Sequence, residues 1–439
     1  MFASRSKCRF IEIEGLAPDE KMTNQRQLDS FCERLAKVTG LPEAKVDSWQ
    51  KAFDALDAAV PKNAKVVVFL DEISWMGGYD PAFAAYLKNA WDMQLSKKSR
   101  LVLVVAGSVS AWIQDNILKS RAFVGRISLD VSLSELALSD CRAFWGRKES
   151  RVSTREMVDM LSVTGGIPKY LEEMDASLST DENIKRLCFT NGGYLFKDFD
   201  SIFGDVFGAV SAKRRILAAL SSGPASVAEL SAMFGKEPNG HLSDDLRDLK
   251  EAGFVASSSG LNPATGVPLR EVRYRLRDNY TRFYLKFIAP KAEAIRAGLF
   301  NFTTLDRLPG WESIMGLQFE NLVLNNLRSL CPLIGLEGRL VTSAAPYVRR
   351  KGASHPGVQV DLLIQTPKSV YVVEVKRRNR ISSEVEAEMQ EKVARLDIAR
   401  NVSVRTVLVY EGSVAPDVEE GGYFDYLVPI EHLLSGGRG

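Results

Sequence analysis

The chain has 439 residues, too many for a single hydrophobic core, so two to four domains are expected. Its 45% hydrophobic and 26% charged residues are ordinary for a soluble globular protein, and no apolar run approaches the roughly 18 residues that cross a bilayer. The net charge of +2 neither demands nor excludes nucleic acid, so any basic surface must be local. Cys8, Cys32, Cys141, Cys188 and Cys331 are scattered and never form a CxxC pair, and the three histidines lie far apart. A disulfide framework and a Cys/His zinc site are therefore not expected, and a reducing cytoplasm is the expected location. The N-terminus also lacks the apolar core of a signal peptide.

The first part of the chain alternates between strand and helix patterns. Residues 8–14, CRFIEIE, read as a strand, and helices follow at about 24–38 and 47–60. "KVVVFLDEISWM", 65–76, is an apolar run ending in two carboxylates; a helix is expected at about 81–95 and a second apolar strand, "RLVLVVAGSVS", at 100–110. Such runs are buried on both faces, as in a parallel sheet covered by helices. A helical stretch follows from about 134 to 190, punctuated by Gly165-Gly166 and Pro168 in "VTGGIPKYLEEM".

After about 191, "NGGYLFKDFDSIFGD" reads as an irregular linker. Residues 211–276 then show three short helices and two strands, the winged form of the helix-turn-helix, with the wing at about 255–276. Leu242, Leu246 and Leu249 recur at helical spacing in the third helix, and Gly253 ends it. Arg247 and Lys250 on that helix, with Arg270, Arg273 and Arg275 on the wing, are the candidate DNA contacts. Asp244, Asp245, Asp248 and Glu251 share the helix and oppose a phosphate backbone, so a protein-contact module is the alternative.

The last block opens with an aromatic helix, "NYTRFYLKFI", and a helix at 312–330. Strands are expected near 359–365, 370–376 and 404–410, with a helix at about 383–399. Alternation puts Glu374 and Lys376 on one strand face, beside Asp361 across a hairpin. Two carboxylates and a lysine at one point suit Mg²⁺-dependent phosphodiester hydrolysis: the acids hold the metal and the lysine positions the water or offsets developing charge. Glu320 on the preceding helix is a candidate third carboxylate, and Gln390 a supporting polar residue.

Asp71 and Glu72, at the carboxyl end of an apolar strand, fit the Mg²⁺-holding Asp and water-positioning Glu of a Walker B motif. Ser108 ends the next strand where a γ-phosphate sensor belongs, and Arg121 and Arg126 are placed to reach a phosphate or a neighbouring subunit, so self-association through this domain is expected. On "VVVFLDEISWM", "LVLVVAGSVSAW", "GRISL" and "TGGIPKYLEE", residues 1–190 resemble the nucleotide-binding domain of the archaeal-type AAA+/STAND-like ATPases. The resemblance implies a phosphate loop on a strand-loop-helix before "CRFIEIEGL". No GxxxxGK[ST] occurs in this sequence, and "MFGKEPNG" has its Gly-Lys without the earlier glycine. ATP binding is therefore expected to be weak or absent, and Mg²⁺ at Asp71 requires a phosphate loop supplied from elsewhere. Either the loop is encoded before Met1 or the domain is a degenerate scaffold.

Asp361 followed by Glu374-x-Lys376, with Glu320 upstream, resembles the PD-(D/E)xK nuclease core, with valine in place of the usual proline before Asp361. The expected fold is α/β throughout: a P-loop-NTPase-type sheet lacking its loop (1–190), a linker and helical winged-helix domain (191–277), and a restriction-endonuclease-like domain (278–439). The expected function is Mg²⁺-dependent action on DNA. The alternative is a DNA- or partner-binding regulator without an active centre, which a Glu374 paired to Lys376 would favour.

Overall fold

The computed structural model describes residues 8–107, 111–199, 211–235, 240–300, 304–338, 340–352 and 356–436. The chain divides into two units, residues 1–132 and 133–439.

In the first unit, strands β1 (Arg9–Glu14), β2 (Val66–Asp71) and β3 (Leu101–Val105) form a parallel sheet in that order. Helices α1 (Asn24–Thr39), α2 (Trp49–Ala59) and α3 (Phe83–Met93) connect them, as parallel pairing requires. Thr23 caps α1 by accepting from the Arg26 amide, and Gly40, at φ 75°, ends it. The apolar helix faces meet in an aromatic cluster in which Phe31 and Phe83 pack edge-on to Trp49, with ring centroids 5.5 and 4.7 Å away. All three side chains are buried, each contributing about 1.5–3 kcal/mol before entropy is counted. β2 lies in the middle of the sheet, which explains why its apolar run does not alternate.

The second unit is built around one continuous core that runs from Leu138 to Leu434. Helices α4 (Thr154–Thr164) and α5 (Thr180–Cys188), capped by Ser153 and Ser179, contribute Met160, Leu161, Ile184 and Leu187. The division therefore falls at 132/133, where the sequence reading puts it at 190: these helices bury their apolar faces against later elements. Gly166 permits a close crossing here, because a Cβ would stand 2.3 Å from the Leu136 carbonyl. The expected linker after 191 also contributes to the core. Leu195, Phe196 and Phe199 are buried, and Phe199 stacks on Tyr284 at 4.1 Å.

Helices α6 (Ser211–Leu220), α7 (Val227–Met233) and α8 (Gly240–Glu251) follow with strands β4 (Ala225–Ser226), β5 (Val255–Ser258) and β6 (Arg273–Leu276). The strands pair antiparallel in the order β4-β6-β5, which is a winged helix. A short helix, α9 (Asn279–Phe283), leads to α10 (Trp311–Asn325).

Next come β7 (Ser343–Arg349), β8 (Val358–Gln365), β9 (Ser369–Ile381), α11 (Glu384–Arg395), β10 (Ser403–Val414) and β11 (Tyr426–Pro429). The sheet order is β11-β10-β9-β8-β7, antiparallel from β7 to β9 and parallel from β9 to β11. β7 and β11 are absent from the sequence reading. Tyr426–Pro429 is a very short strand, and Pro346 disguises Ser343–Arg349.

The side chain of Arg377 on β9 is 2% exposed and pairs with Asp159 of α4, with Glu411 of β10 at 3.7 Å and Glu312 at 3.6 Å. Arg377→Met leaves Asp159 and Glu411 buried with only Arg155, 3.8 Å from Glu411, as their nearby cation, and is expected to cost about 3 kcal/mol in denaturant unfolding at neutral pH. Burial pushes Asp159 up to about 6 even against the pull of Arg377. The loss should therefore shrink as the pH falls and these carboxylates protonate.

Candidate functional site

The strongest convergence of ionisable groups lies where β8 and β9 part. From Ala345 to Tyr347, β7 advances two residues while β8 advances three, from Leu363 to Val360. The residue of β7 facing this bulge is Pro346, which has no N–H to offer the ladder. Asp361 sits in the bulge, one step beyond the last β8–β9 pair, Leu362–Val373. Its Oδ2 accepts the Val375 N–H at 2.9 Å, so a side chain replaces a ladder hydrogen bond.

Glu374, opposite, is 2% exposed, and two ammonium groups hold its carboxylate: Lys376 on Oε1 at 2.8 Å and Lys392 of α11 on Oε2. Lys376 also reaches Glu388 at 2.7 Å. α10 brings Glu320 into electrostatic reach of both Asp361 and Glu374. Burial, then the Asp361 carboxylate, push the Glu320 acid above the ordinary range, against Arg282 and Arg275. Burial, then Glu374, push Asp361 up in the same way, against Lys392, the Val375 amide and Lys376. Among the described residues, however, no three His, Cys, Asp or Glu side chains form a ready metal cage.

The sequence reading named Asp361, Glu374, Lys376 and Glu320, and all four meet here. It missed Lys392 and Glu388. Val385 and Met389 are the buried positions of α11, so Glu388 and Lys392 flank its inward face, a signal available from helical spacing. Gln390 points to solvent, on the wrong side of α11 to support the site.

The nucleotide-type residues do not come together in this way. Asp71 ends β2, and Glu72 adopts a left-handed conformation at φ 49°, ψ 48°, the one non-glycine positive φ among the described residues. The turn is tight against β1: a Cβ on Gly15 would lie 2.8 Å from the Glu72 carbonyl. Ser108 lies outside the described residues. Arg126 grips Asp92 with two bonds, 2.7 and 2.8 Å. Asp92 is in the last turn of α3, which returns the chain to the start of β3. Arg126 is therefore committed to Asp92 rather than to the turn carrying Asp71 and Glu72, a correction to its assignment at a phosphate. Hydrogen bonds from Arg126, then Lys88, hold the Asp92 acid far below the carboxylate range.

On the winged helix, Arg247, Lys250 and Arg270 are exposed, with Arg247 3.0 Å from Asp244. Arg273 and Arg275 are not free for DNA. Arg273 pairs with Glu229 at 3.2 Å and donates to the Pro224 carbonyl at 2.9 Å. Arg275 turns inward to Asn321 and, at 2.8 Å, Asn325 of α10; burial, then Arg282 and Arg277, lower it to about 10. The two share one face of β6, and that face meets protein. The wing is also tethered, since Gln365 of β8 donates to the Leu261 carbonyl at 2.8 Å.

These parts define a multidomain α/β protein with a parallel sheet, a winged helix and a mixed five-stranded sheet. Residues 211–257 match the family model described as bacterial regulatory protein, arsR family. An uncharacterised protein of Methanocaldococcus jannaschii is 22% identical over 354 residues, which span 80% of this chain and 74% of that protein. Among solved structures, the chain is similar to a Walker-type ATPase of Pyrococcus abyssi, at TM-score 0.46 and 15% identity over 64% of this chain and 85% of that one. It is also similar to the ORC2 protein of Aeropyrum pernix in its ADPNP–ADP complexes, at TM-score 0.37 and 13% identity over 68% and 81%. Among the described residues no helix is long and apolar enough to cross a membrane.

Proposed function

We propose that the chain acts on DNA and that its chemical centre is a Mg²⁺-dependent phosphodiester hydrolase site of the PD-(D/E)xK type at Asp361, Glu374 and Lys376. The first unit then serves as a nucleotide-binding-type scaffold. The observation that carries this reading is Asp361, re-aimed by the bulge opposite Pro346 and lying beside Glu374, with Glu320 near enough to disfavour ionisation of the group. Crowded, largely buried carboxylates are the donor chemistry of a hard divalent cation. Asp361 and Glu374 would hold the ion and Glu320 would support it. The ion supplies charge opposite the phosphoryl oxygens and a more acidic bound water. Lys376, on the same strand face, offsets the charge that develops on phosphate. The test is incubation of the full chain with Mg²⁺ and single-stranded, duplex and branched DNA. Cleavage that is absent, or that survives Asp361→Ala, removes these residues from any such chemistry.

One observation favours a second reading, a DNA- or partner-binding regulator: Lys376 and Lys392 already occupy both oxygens of Glu374. On either reading, Arg247 and Lys250 on the third helix, with Arg270 on the wing, are exposed cations available to phosphate. Arg247→Ala and Lys250→Ala are each expected to weaken duplex binding across sequences and to reduce the salt slope by about 1. Titration of labelled duplex at several salt concentrations measures this, and an unchanged slope assigns the helix to protein contact.

A further inference from the structure

Glu374 is followed closely by a basic run, Lys376-Arg377-Arg378-Asn379-Arg380. Lys376 is committed to Glu374 and Glu388, and Arg377 is buried against Asp159. Arg378 and Arg380 are exposed, and among the described residues no ion pair or hydrogen bond holds either guanidinium.

The fold separates these two arginines. Past Val373, where β8 leaves it, β9 continues to Ile381 alongside β10. Its α11 face carries Val370 and Val372, which pack with Val385 and Met389, and then Glu374 and Lys376, bonded to Lys392 and Glu388. Arg378 is the next residue on that face, about 6.6 Å beyond Lys376. The hydrogen bond from Lys376 holds the Glu388 carboxyl below its ordinary range, and the charge of Arg378 adds to this from further away. A bulge then intervenes: from Arg377 to Arg380 β9 advances three residues while β10 advances two, from Glu411 to Ser413. Gly412, at φ 113°, makes room for it, since a Cβ there would run into the Arg378 carbonyl. The extra residue returns Ile381 to the α11 cluster and leaves Arg380 on the opposite face, with Arg377 and Glu411.

We propose that Arg378 grips a DNA backbone phosphate adjacent to the one seated at Lys376, and that Arg380 does not. The inference rests on the hydrolase reading of Asp361, Glu374 and Lys376, and extends it from the reacting phosphate to the strand that carries it. A step of two residues along a β-strand is on the scale of the spacing between neighbouring phosphates, so one face presents Lys376 and Arg378 in succession. A DNA strand arriving at Asp361, Glu374 and Glu320 meets carboxylates, and Arg378 supplies charge of the attractive sign at their rim. Its guanidinium can offer paired N–H donors to phosphate oxygens without giving up a bond in the folded chain. Glu388, the carboxylate nearest it on α11, is already taken by Lys376 at 2.7 Å.

Binding is measured in EDTA by fluorescence anisotropy, with the full chain and labelled single-stranded and duplex DNA at several salt concentrations; cleavage is measured separately with Mg²⁺. Arg378→Ala is expected to weaken binding about three- to tenfold and to reduce the salt slope by about 1, whereas Arg378→Lys keeps the slope. Arg380→Ala removes the same charge from the opposite face and is expected to leave affinity within about twofold. Circular dichroism and the thermal midpoint should be the same for all three variants, because both side chains are exposed. Undiminished binding by Arg378→Ala, or an equal loss in Arg380→Ala, overturns the proposal. Arg378-dependent binding by a chain that cleaves nothing keeps the contact and removes the hydrolase reading. Cleavage accompanied by Arg378-independent binding keeps the hydrolase reading and removes the contact.

Discussion

On the proposed hydrolase reading, Glu374→Gln is expected to lower Mg²⁺-dependent DNA cleavage by about 10²–10³-fold, the equivalent of the several kcal/mol that a correctly held cation contributes to a phosphoryl transition state. The substitution keeps the shape and one acceptor oxygen but deletes the charge between Lys376 and Lys392. Lys376 retains Glu388, so the buried charge left over is mainly that of Lys392. A fall in thermal stability therefore accompanies the loss of cleavage, and a refolding control separates the two effects. Lys392→Met acts in the opposite sense. It frees one carboxylate oxygen, so half-maximal cleavage is reached at lower Mg²⁺. Lys376→Met is expected to abolish cleavage without that gain. If the regulator reading is correct, all three variants change stability alone and leave duplex affinity unchanged.

Mg²⁺ should raise the thermal midpoint more at high pH than at low pH, and Asp361→Asn should flatten the difference. Asp361 and Glu320 both have raised folded-state pKa values, chiefly through burial and then through neighbouring carboxylates. Between the ordinary carboxylate range and neutrality the folded chain therefore binds more protons than the unfolded chain. Stability contributed by these two groups is complete at the acid end and is lost as the pH rises through the raised values. A cation at the site removes the cause of the repulsion, so its benefit grows across the same window. At a hundredfold excess over Kd the gain is about 2.7 kcal/mol, on the order of 5 °C. Thermal unfolding at about pH 5 and about pH 8, with and without Mg²⁺, measures it. An equal gain at both pH values, or one retained in Asp361→Asn, places the cation elsewhere.

Several features needed no tertiary information. Apolar runs at Val66–Asp71 and Leu101–Val105, and the helical spacing of Leu242, Leu246 and Leu249, are local patterns that burial of one face or of both imposes wherever the element lies. The same holds for Glu374-x-Lys376, since two residues apart on a strand means one shared face. The residue types of the carboxylate site, the winged helix and the carboxyl-edge location of Asp71 and Glu72 all follow from such short-range rules.

What each side chain faces was decided only by the fold. The bulge at Asp361 lies opposite Pro346, across the β7–β8 pair. Lys392 meets Glu374 because α11 crosses back over the sheet, 18 residues later in sequence. Arg273 and Arg275 looked like wing cations until β6 was seen to bury that face on Glu229 and α10. Arg126 is bound to Asp92, 34 residues earlier. Local sequence sets which residues share a face. The partner of that face depends on chain crossings and strand register, which are properties of the whole packed unit.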